Sequence, residues 1–128
     1  GLGADNWACT KDNHTNLLWS LENGWDNWIS ATTTYPAAMN DTNRCGYNTG
    51  WRAPTRRELL SIVHNGTYGP AIDVNYFPDT FNTLYWSADT WAPDPWFVLG
   101  IDFYYGSPDM RYLPHDYGSA VRLVRSGQ

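Results

Sequence analysis

Residues Gly50–Leu59 read GWRAPTRREL, and they mark the point where a helix of this protein begins. Thr55 is followed three residues later by Glu58, which is the spacing of a capping box. In such a box the hydroxyl and the carboxylate each accept a hydrogen bond from a backbone N–H that has no partner within the helix. The stretch therefore predicts a capped helix that starts directly after Thr55.

The residues after this box predict which side of the helix is buried. Leu59, Ile62 and Val63 recur at spacings that place them on one side of a helix, so we expect this side to contact a core. Gly66 and Gly69 follow, and glycine commonly ends helices. We expect the helix to end at these two glycines.

Two arginines of the same stretch are not explained by the capping box. Arg56 and Arg57 lie in the first helical turn, where a cation opposes the helix dipole. The chain has 13 acidic and 8 basic residues, so carboxylates are present in excess. We expect both arginines to pair with carboxylates elsewhere in the chain, and an anion-binding site is the alternative.

The composition of the whole chain limits the classes of function. Its 128 residues suit one domain, so we assign residues 1–128 to a single domain. The net charge is −5, and 16% of the residues are aromatic. Nucleic-acid binding needs many Lys and Arg side chains, and membrane insertion needs a long apolar run, so neither is predicted.

Apolar patterns and turn residues predict further elements along the chain. The first half is expected to contain a strand at Leu17–Leu21, a turn with exposed aromatic residues at 23–28 and a helix within Ile29–Met39 that is entered near Pro36. The second half is expected to contain strands at residues 83–89, 96–105 and 119–126, with long loops at residues 88–95 and 106–118; residues 110–114 within the second loop are a candidate for a further strand. Two helices with several irregular strands make an α+β fold.

The chain has two cysteines, Cys9 and Cys45. An even number of cysteines in a chain poor in lysine and rich in Trp, Tyr and Asn is typical of one disulfide and an oxidising compartment. Two buried free thiols are the alternative.

Five motifs in the same order make the chain similar to the Lcl C-terminal domain family, which is named for a collagen-like bacterial surface adhesin. The motifs are WACTKDNHTNLLWSL (residues 7–21), CGYNTGWRAPTRRELLSIV (45–63), PAIDVNYFP (70–78), YWSAD (85–89) and AVRLVRSGQ (120–128). The chain departs from the family pattern at Ala53, where the family usually has Leu.

The resemblance implies a C-type-lectin-like domain, with two helices against a small, irregular, mostly antiparallel sheet with long loops. It also implies a disulfide between Cys9 and Cys45, an extracellular or cell-surface location, and binding rather than catalysis. The chain would then be the C-terminal part of a longer or processed surface protein. The namesake adhesin binds sulfated glycosaminoglycans, but we do not transfer this ligand because an acidic chain suits sulfated polymers poorly.

Ligand-binding residues are expected in the late loops, because aromatic faces stack on sugar rings and polar side chains bind sugar hydroxyls. The candidates are Trp91, Asp94, Tyr104, Tyr105, Asp109, Arg111, Tyr112 and His115. Trp91 is the strongest of them because Ala and Pro flank it in a predicted loop. Trp96 is expected to be buried, since it leads an alternating strand.

Other residues in the family motifs are expected to be structural. They are Trp51, Arg52, Thr55, Glu58, Trp86 and Arg122. Arg122 alternates with apolar residues, so we expect it to pair with a buried or half-buried Asp. No metal or cofactor is predicted, because the triplets with which calcium-dependent lectins bind the ion do not occur. The alternative is calcium held by the late Asp residues, which are Asp89, Asp94, Asp102, Asp109 and Asp116.

These observations lead to two hypotheses of different classes. The first is an extracellular bacterial recognition or adhesion domain that binds a glycan or a surface protein. The second is a structural subunit of a pilus or fibre, which self-assembles through its aromatic surfaces; we expect a homo-oligomer. An enzyme is not predicted, because the sequence singles out neither a carboxylate pair nor a nucleophile.

Overall fold

A computed structural model describes residues 9–64, 66–113 and 118–126, and within them the chain forms three helices and eight strands. The helices are α1 (Trp28–Thr32), α2 (Thr34–Asp41) and α3 (Arg56–Ser61). The strands are β1 (Cys9–Asp12), β2 (Leu17–Ser20), β3 (Gly24–Asp26), β4 (Leu84–Trp91), β5 (Asp94–Asp102), β6 (Ser107–Tyr112), β7 (Ser119–Val121) and β8 (Val124–Ser126). The predicted α+β class is therefore confirmed.

The strands form two sheets. One has the order β1-β2-β8, and the other has the order β3-β7-β4-β5-β6. Neighbouring strands are antiparallel except for β4 and β7, which are parallel. Residues 119–126 do not close one sheet as predicted, because β7 belongs to the larger sheet and β8 to the smaller one. The architecture is compatible with a C-type-lectin-like fold.

Both faces of the larger sheet are covered. Tyr85 and Trp86 are neighbours on β4, so their side chains leave opposite faces, and each is only 1% exposed. Tyr85 packs in one core cluster together with Leu59 of α3. Trp86 packs in a second cluster together with Ala31 of α1 and Met39 of α2. Helix α3 therefore lies on one face of the sheet, and α1 and α2 lie on the other.

The first predicted helix is divided into α1 and α2 at Thr33. The Thr33 hydroxyl donates to the Ile29 carbonyl at 2.6 Å, and the Thr33 backbone N–H donates to Ser30. Side-chain bonds of this kind compete with the regular backbone pattern and interrupt a helix. Helix α2 begins before Pro36, and this proline lies in its first turn, where a missing N–H costs no helical hydrogen bond. The predicted turn at residues 23–28 contains β3 and the start of α1.

The capping box of α3 is confirmed. The Glu58 N–H donates to the Thr55 hydroxyl at 3.1 Å, and the Thr55 N–H donates to the Glu58 carboxylate at 2.8 Å. The helix ends at Ser61, earlier than predicted from the glycines. The reason is tertiary, because the His64 N–H donates to the Ala71 carbonyl at 2.9 Å and thus leaves the helical pattern.

Replacement of Glu58 by Gln should make the stability less dependent on acid pH. Burial alone raises the pKa of Glu58, but hydrogen bonds from Arg52 (both oxygens, 2.7 Å) and from Thr55 outweigh it and hold the pKa below its ordinary value. A carboxyl with a lowered folded-state pKa stabilises the fold above its unfolded pKa of about 4.3, and this contribution is lost as the pH falls through the folded value. The measurement is the free energy of unfolding from pH 7 to pH 2.

The control for this prediction is Arg57→Ala, because the Arg57 side chain is exposed. It should leave the acid part of the stability curve as in the wild type. An unchanged acid slope in Glu58→Gln would contradict the assignment.

Arg56 and Arg57 do not pair with carboxylates as predicted. Among the described residues, the ion pairs are Arg52 with Glu58 and Arg111 with Asp109. The Asp89 carboxylate instead accepts from the Arg56 backbone N–H at 2.6 Å, so strand β4 caps the start of α3. Arg56 and Arg57 are both exposed residues.

The motif residues hold the fold together. Cys9 and Cys45 form a disulfide, as the resemblance implies. Trp51 and Trp86 are 3% and 1% exposed, and their indole N–H groups donate to backbone carbonyls. None of the helices in the described ranges has the length and apolar character needed to cross a membrane.

Arg122 is 1% exposed, but the predicted Asp partner is wrong for the part of the chain that the structure describes. Its guanidinium donates hydrogen bonds to three neutral oxygens, which are Ser20 O (3.0 Å), Asn23 Oδ1 (2.7 Å) and Thr80 Oγ1 (3.1 Å). The Arg122 Cζ atom also lies over the rings of Phe77 and Tyr85, 5.2 Å and 5.9 Å from their centroids. Burial lowers the pKa of Arg122 from its ordinary value. Neutral acceptors and ring faces thus replace a carboxylate.

Candidate functional site

The predicted ligand-binding residues lie at the two ends of β5 rather than in one site. Trp91 and Tyr112 lie beside the first half of this strand, whereas Tyr104 and Tyr105 follow its last residue, Asp102. Because a strand rises by about 3.3 Å per residue, the two groups are roughly 20 Å apart. Each end therefore has to be considered as a separate surface.

At the first end, three aromatic residues from adjacent strands form a row. Trp91 on β4 contacts Phe97 on β5 with ring centroids 6.0 Å apart, and Phe97 contacts Tyr112 on β6 at 5.0 Å. Trp91 is 39% exposed and Tyr112 is 41% exposed. We call Trp91, Phe97 and Tyr112 the aromatic row. The prediction missed Phe97, although its pairing with Tyr112 follows from the strand register.

The predicted loop at residues 88–95 is mostly strand, because β4 reaches Trp91 and β5 begins at Asp94. The Asp94 carboxylate accepts from the Trp96 N–H at 3.0 Å and so stabilises the start of β5. Trp96 is 60% exposed, so the prediction that it is buried is wrong. Side chains along β5 alternate between the two faces as predicted, but the first residues of the strand extend beyond the core. Trp96 there lines an open cleft of about 320 Å³ together with Pro95 and Leu113.

Asp109 and Arg111 lie on β6, at the edge of the larger sheet. They form an exposed ion pair at 2.8 Å. Arg111 pairs in register with Val98, and the neighbouring Tyr112 pairs with Phe97. Adjacent strand residues point to opposite faces, so the ion pair and the aromatic row are on different faces of the sheet.

At the second end, Tyr104 and Tyr105 meet Tyr68 of an earlier loop. The ring centroids are 4.5 Å apart for Tyr104 and Tyr105, and 6.4 Å apart for Tyr68 and each of the other two. Tyr68 is 73%, Tyr105 69% and Tyr104 38% exposed. We call these residues the tyrosine cluster. Sequence reasoning missed Tyr68, since no local pattern links it to residues that lie 36 positions later.

His115 and Asp116 lie outside the described residues. Within residues 9–64, 66–113 and 118–126, no group of three His, Cys, Asp or Glu side chains could hold a metal ion. The carboxylates of Asp89, Asp94 and Asp102 each accept a hydrogen bond from a backbone N–H. Asp94 and Asp102 therefore hold the backbone two residues later, whereas Asp89 caps the distant start of α3.

The family model of the Lcl C-terminal domain matches residues 8–125. The chain belongs to the Lcl C-terminal domain family. A comparison with curated proteins finds no match. Family membership indicates a bacterial surface-associated domain, and the Cys9–Cys45 disulfide is compatible with an extracellular location.

In this Lcl C-terminal domain, the family motifs and the exposed aromatic clusters are different sets of residues. Trp51, Trp86 and Arg122 lie in motifs and are buried. Arg52 and Glu58 form the ion pair that supports the capping box. The aromatic row and the tyrosine cluster lie mainly between the motifs, on the surface. The motifs therefore maintain the scaffold, and the exposed clusters are the candidate binding surfaces.

Proposed function

We propose that this Lcl C-terminal domain is an extracellular recognition domain that binds a carbohydrate through the aromatic row. The observation that carries the proposal is the continuous contact from Trp91 through Phe97 to Tyr112 across three adjacent strands. Half-exposed aromatic rings in a fixed position offer apolar faces to the C–H surface of a sugar at little entropic cost.

Polar groups for the sugar hydroxyls lie at the same end of the sheet. The Arg56 N–H is 2.6 Å from the carboxylate of Asp89, which precedes Trp91 by two residues on β4. The exposed Arg56 side chain therefore starts close to the aromatic row. A guanidinium with free N–H donors suits hydroxyl and ring-oxygen acceptors. Arg56 of the arginine-rich stretch would then bind the carbohydrate, in addition to the structural role of the stretch at the start of α3.

The edge of the larger sheet favours recognition over assembly by strand addition. A fibre subunit that adds strands to this sheet would use an edge strand, and the six-residue β6 is the longer of the two edge strands, β3 and β6. Pro108 of β6 has no N–H, and the Met110 N–H already donates to the Asp109 carboxylate at 2.8 Å. Proline and charged residues on an edge are the usual protection against strand pairing.

The proposal includes no catalytic step, in line with the expectation from sequence. Asp89 precedes Trp91 by two residues and is occupied by the start of α3, and Asp94, which pairs with Trp91 in register, accepts from the Trp96 N–H. A glycosidase needs two free carboxyl groups on either side of the bond it cleaves.

Replacement of Trp91 by Ala should weaken carbohydrate binding about tenfold or more, since a few residues carry most of the binding energy of an interface and Trp is enriched among them. The measurement is a glycan array followed by titration of the best ligand, with and without a calcium chelator. The matched control is Trp25→Ala, because Trp25 is 58% exposed and lies on β3 at the opposite edge of the same sheet.

Equal losses in Trp91→Ala and Trp25→Ala would contradict the proposed site, and a blank array would contradict carbohydrate binding. Loss of binding with the chelator would show that a divalent cation takes part in binding. Thermal unfolding of both variants checks that the fold is retained.

Self-association is a second candidate, and the exposure of Trp25 and Trp96 favours it. Both indoles are about 60% exposed (58% and 60%), and large exposed aromatic residues are common in subunit interfaces. Such contacts would use side-chain faces rather than the edge of β6. The mass of the domain in solution distinguishes this candidate, since Trp25→Ala or Trp96→Ala would then convert a defined oligomer into monomers.

A further inference from the structure

We propose that the tyrosine cluster is a second binding site, and that it takes a quaternary ammonium group such as that of choline. The site lies at the other end of β5 from the aromatic row, so it is independent of the proposed carbohydrate site. The three rings come from two segments, one that contains Tyr68 and one that contains Tyr104 and Tyr105.

The arrangement of the rings suits a cation. The ring planes are inclined by 70° between Tyr104 and Tyr105, by 46° between Tyr68 and Tyr104, and by 26° between Tyr68 and Tyr105. The centroids are at most 6.4 Å from one another. A cation above their centre would therefore lie within about 6 Å of all three rings, which is the range of cation–π attraction.

The backbone holds the rings in place before a ligand arrives. The Gly69 N–H donates to the Tyr104 carbonyl at 2.7 Å, and the Ala71 N–H donates to the Phe103 carbonyl at 2.6 Å. Phe103 is 1% exposed and anchors the turn in the core. These bonds join the loop of Tyr68 to the turn of Tyr104 and Tyr105. A preformed arrangement lowers the entropic cost of binding.

The charges on the two chain segments that carry the rings favour a cation over an anion. Residues 64–73 and 102–107 contain two carboxylates, Asp73 and Asp102, and no Lys or Arg. The whole chain has a net charge of −5, which attracts cations at long range. The site is therefore a poor match for sulfate or phosphate groups on their own.

The acidic side chains on the two segments that carry the rings suit a quaternary ammonium. The Asp102 carboxylate accepts from the Tyr104 N–H at 2.8 Å, and the Asp73 carboxylate accepts from the Asn75 N–H at 2.9 Å. The Thr67 hydroxyl donates to the Pro70 carbonyl at 3.3 Å. These bonds fix the side chains to the backbone, and the two carboxylates keep the negative charge that attracts a cation. A quaternary ammonium needs no hydrogen bond, only ring faces and negative charge.

The test is a titration with choline followed by NMR of the tyrosine ring signals. Dimethylbutanol, in which a carbon atom replaces the nitrogen of choline, is the uncharged comparison. We expect choline to bind with a Kd on the order of millimolar, and dimethylbutanol to bind at least about tenfold more weakly. Equal binding of the two compounds would overturn the proposal, and so would the absence of choline binding.

Variants locate the site. Tyr105→Ala and Tyr68→Ala should each weaken choline binding about fivefold, whereas Tyr105→Phe keeps the ring and should bind as the wild type does. Tyr76→Ala is the matched control, because Tyr76 is 62% exposed but lies outside the cluster. Wild-type affinity in Tyr105→Ala would overturn the assignment. Neither result bears on the proposed carbohydrate binding at the aromatic row, because the two surfaces are separate.

The same chemistry occurs in free choline compounds and in lipid headgroups, and two further arms separate these sources. One uses phosphocholine in solution, and the other uses phosphatidylcholine vesicles in a flotation assay. Binding in solution that Tyr105→Ala weakens supports a soluble or polymer-attached ligand. Vesicle binding that the same variant removes supports a lipid headgroup, but vesicle binding that it leaves unchanged contradicts the site.

Discussion

Replacement of Arg122 by Ala is expected to lower the free energy of unfolding by about 3–5 kcal/mol. The substitution empties a site that is 1% exposed, and emptied core sites of this size cost several kcal/mol. It also removes the Arg122 donor from the Ser20 carbonyl and the Thr80 hydroxyl. Asn23 Oδ1 loses the same donor but keeps a hydrogen bond from the Tyr85 hydroxyl at 2.6 Å. Each buried acceptor that loses its partner adds about 1–3 kcal/mol, and relief from burying a charge offsets part of this cost. Chemical denaturation measures the change.

Two further variants separate the effect of the lost volume from the effect of the lost hydrogen bonds at Arg122. Arg122→Met keeps most of the volume but removes the donors, so its loss should be smaller, about 1–3 kcal/mol. Arg111→Ala removes an exposed arginine from an ion pair and should cost about 1 kcal/mol or less. A loss in Arg122→Ala that is no larger than that of Arg111→Ala would contradict a structural role of Arg122.

Removal of the disulfide by the double substitution Cys9→Ser and Cys45→Ser should cost about 4 kcal/mol. The cysteines are separated by 36 residues, and the chain-entropy model gives this magnitude for a loop of that length. The bond joins β1 to the turn that follows α2, so its loss frees the edge of the smaller sheet. The free energy of unfolding of the double variant, compared with the oxidised wild type, checks the prediction.

The backbone at Cys45 provides a specific comparison. Its φ is +55°, a left-handed conformation that costs about 1–2 kcal/mol for a residue with a side chain. The double variant Cys9→Ser and Cys45→Gly loses the same bond but relieves this strain. It should therefore be about 1 kcal/mol more stable than the double serine variant. If the serine variant were as stable as the wild type, the disulfide would have no stabilising role.

The candidate surfaces could be predicted only in part. Trp91, Tyr104, Tyr105 and Tyr112 were selected as exposed aromatic residues, and all are at least 38% exposed. The prediction grouped them in one site because their loops follow one another along the chain. The nine-residue strand β5 instead separates them into two surfaces. The prediction that Trp96 is buried was wrong for a similar reason. The alternation of the strand indicates which face of the sheet a side chain is on, but it does not indicate whether other residues cover that face.

The sequence by itself determined the features that depend on near neighbours. The capping box of Thr55 and Glu58 requires residues three positions apart, and the structure contains both of its hydrogen bonds. The α+β class and the family followed from patterns and motifs that are read along the chain. Such features are predictable because their energies depend on few residues within one or two turns of the chain.

Only the tertiary structure decided how distant segments meet. The partners of Arg122 lie 42, 99 and 102 residues away, and they are neutral oxygens rather than the carboxylate that its charge predicted. Asp89 caps a helix that starts 33 residues earlier. Tyr68 joins Tyr104 and Tyr105 because the Gly69 N–H finds a carbonyl 35 residues later. The physical reason is that hydrogen bonds and ring contacts depend on distance in space, and the order of residues along the chain does not contain that distance.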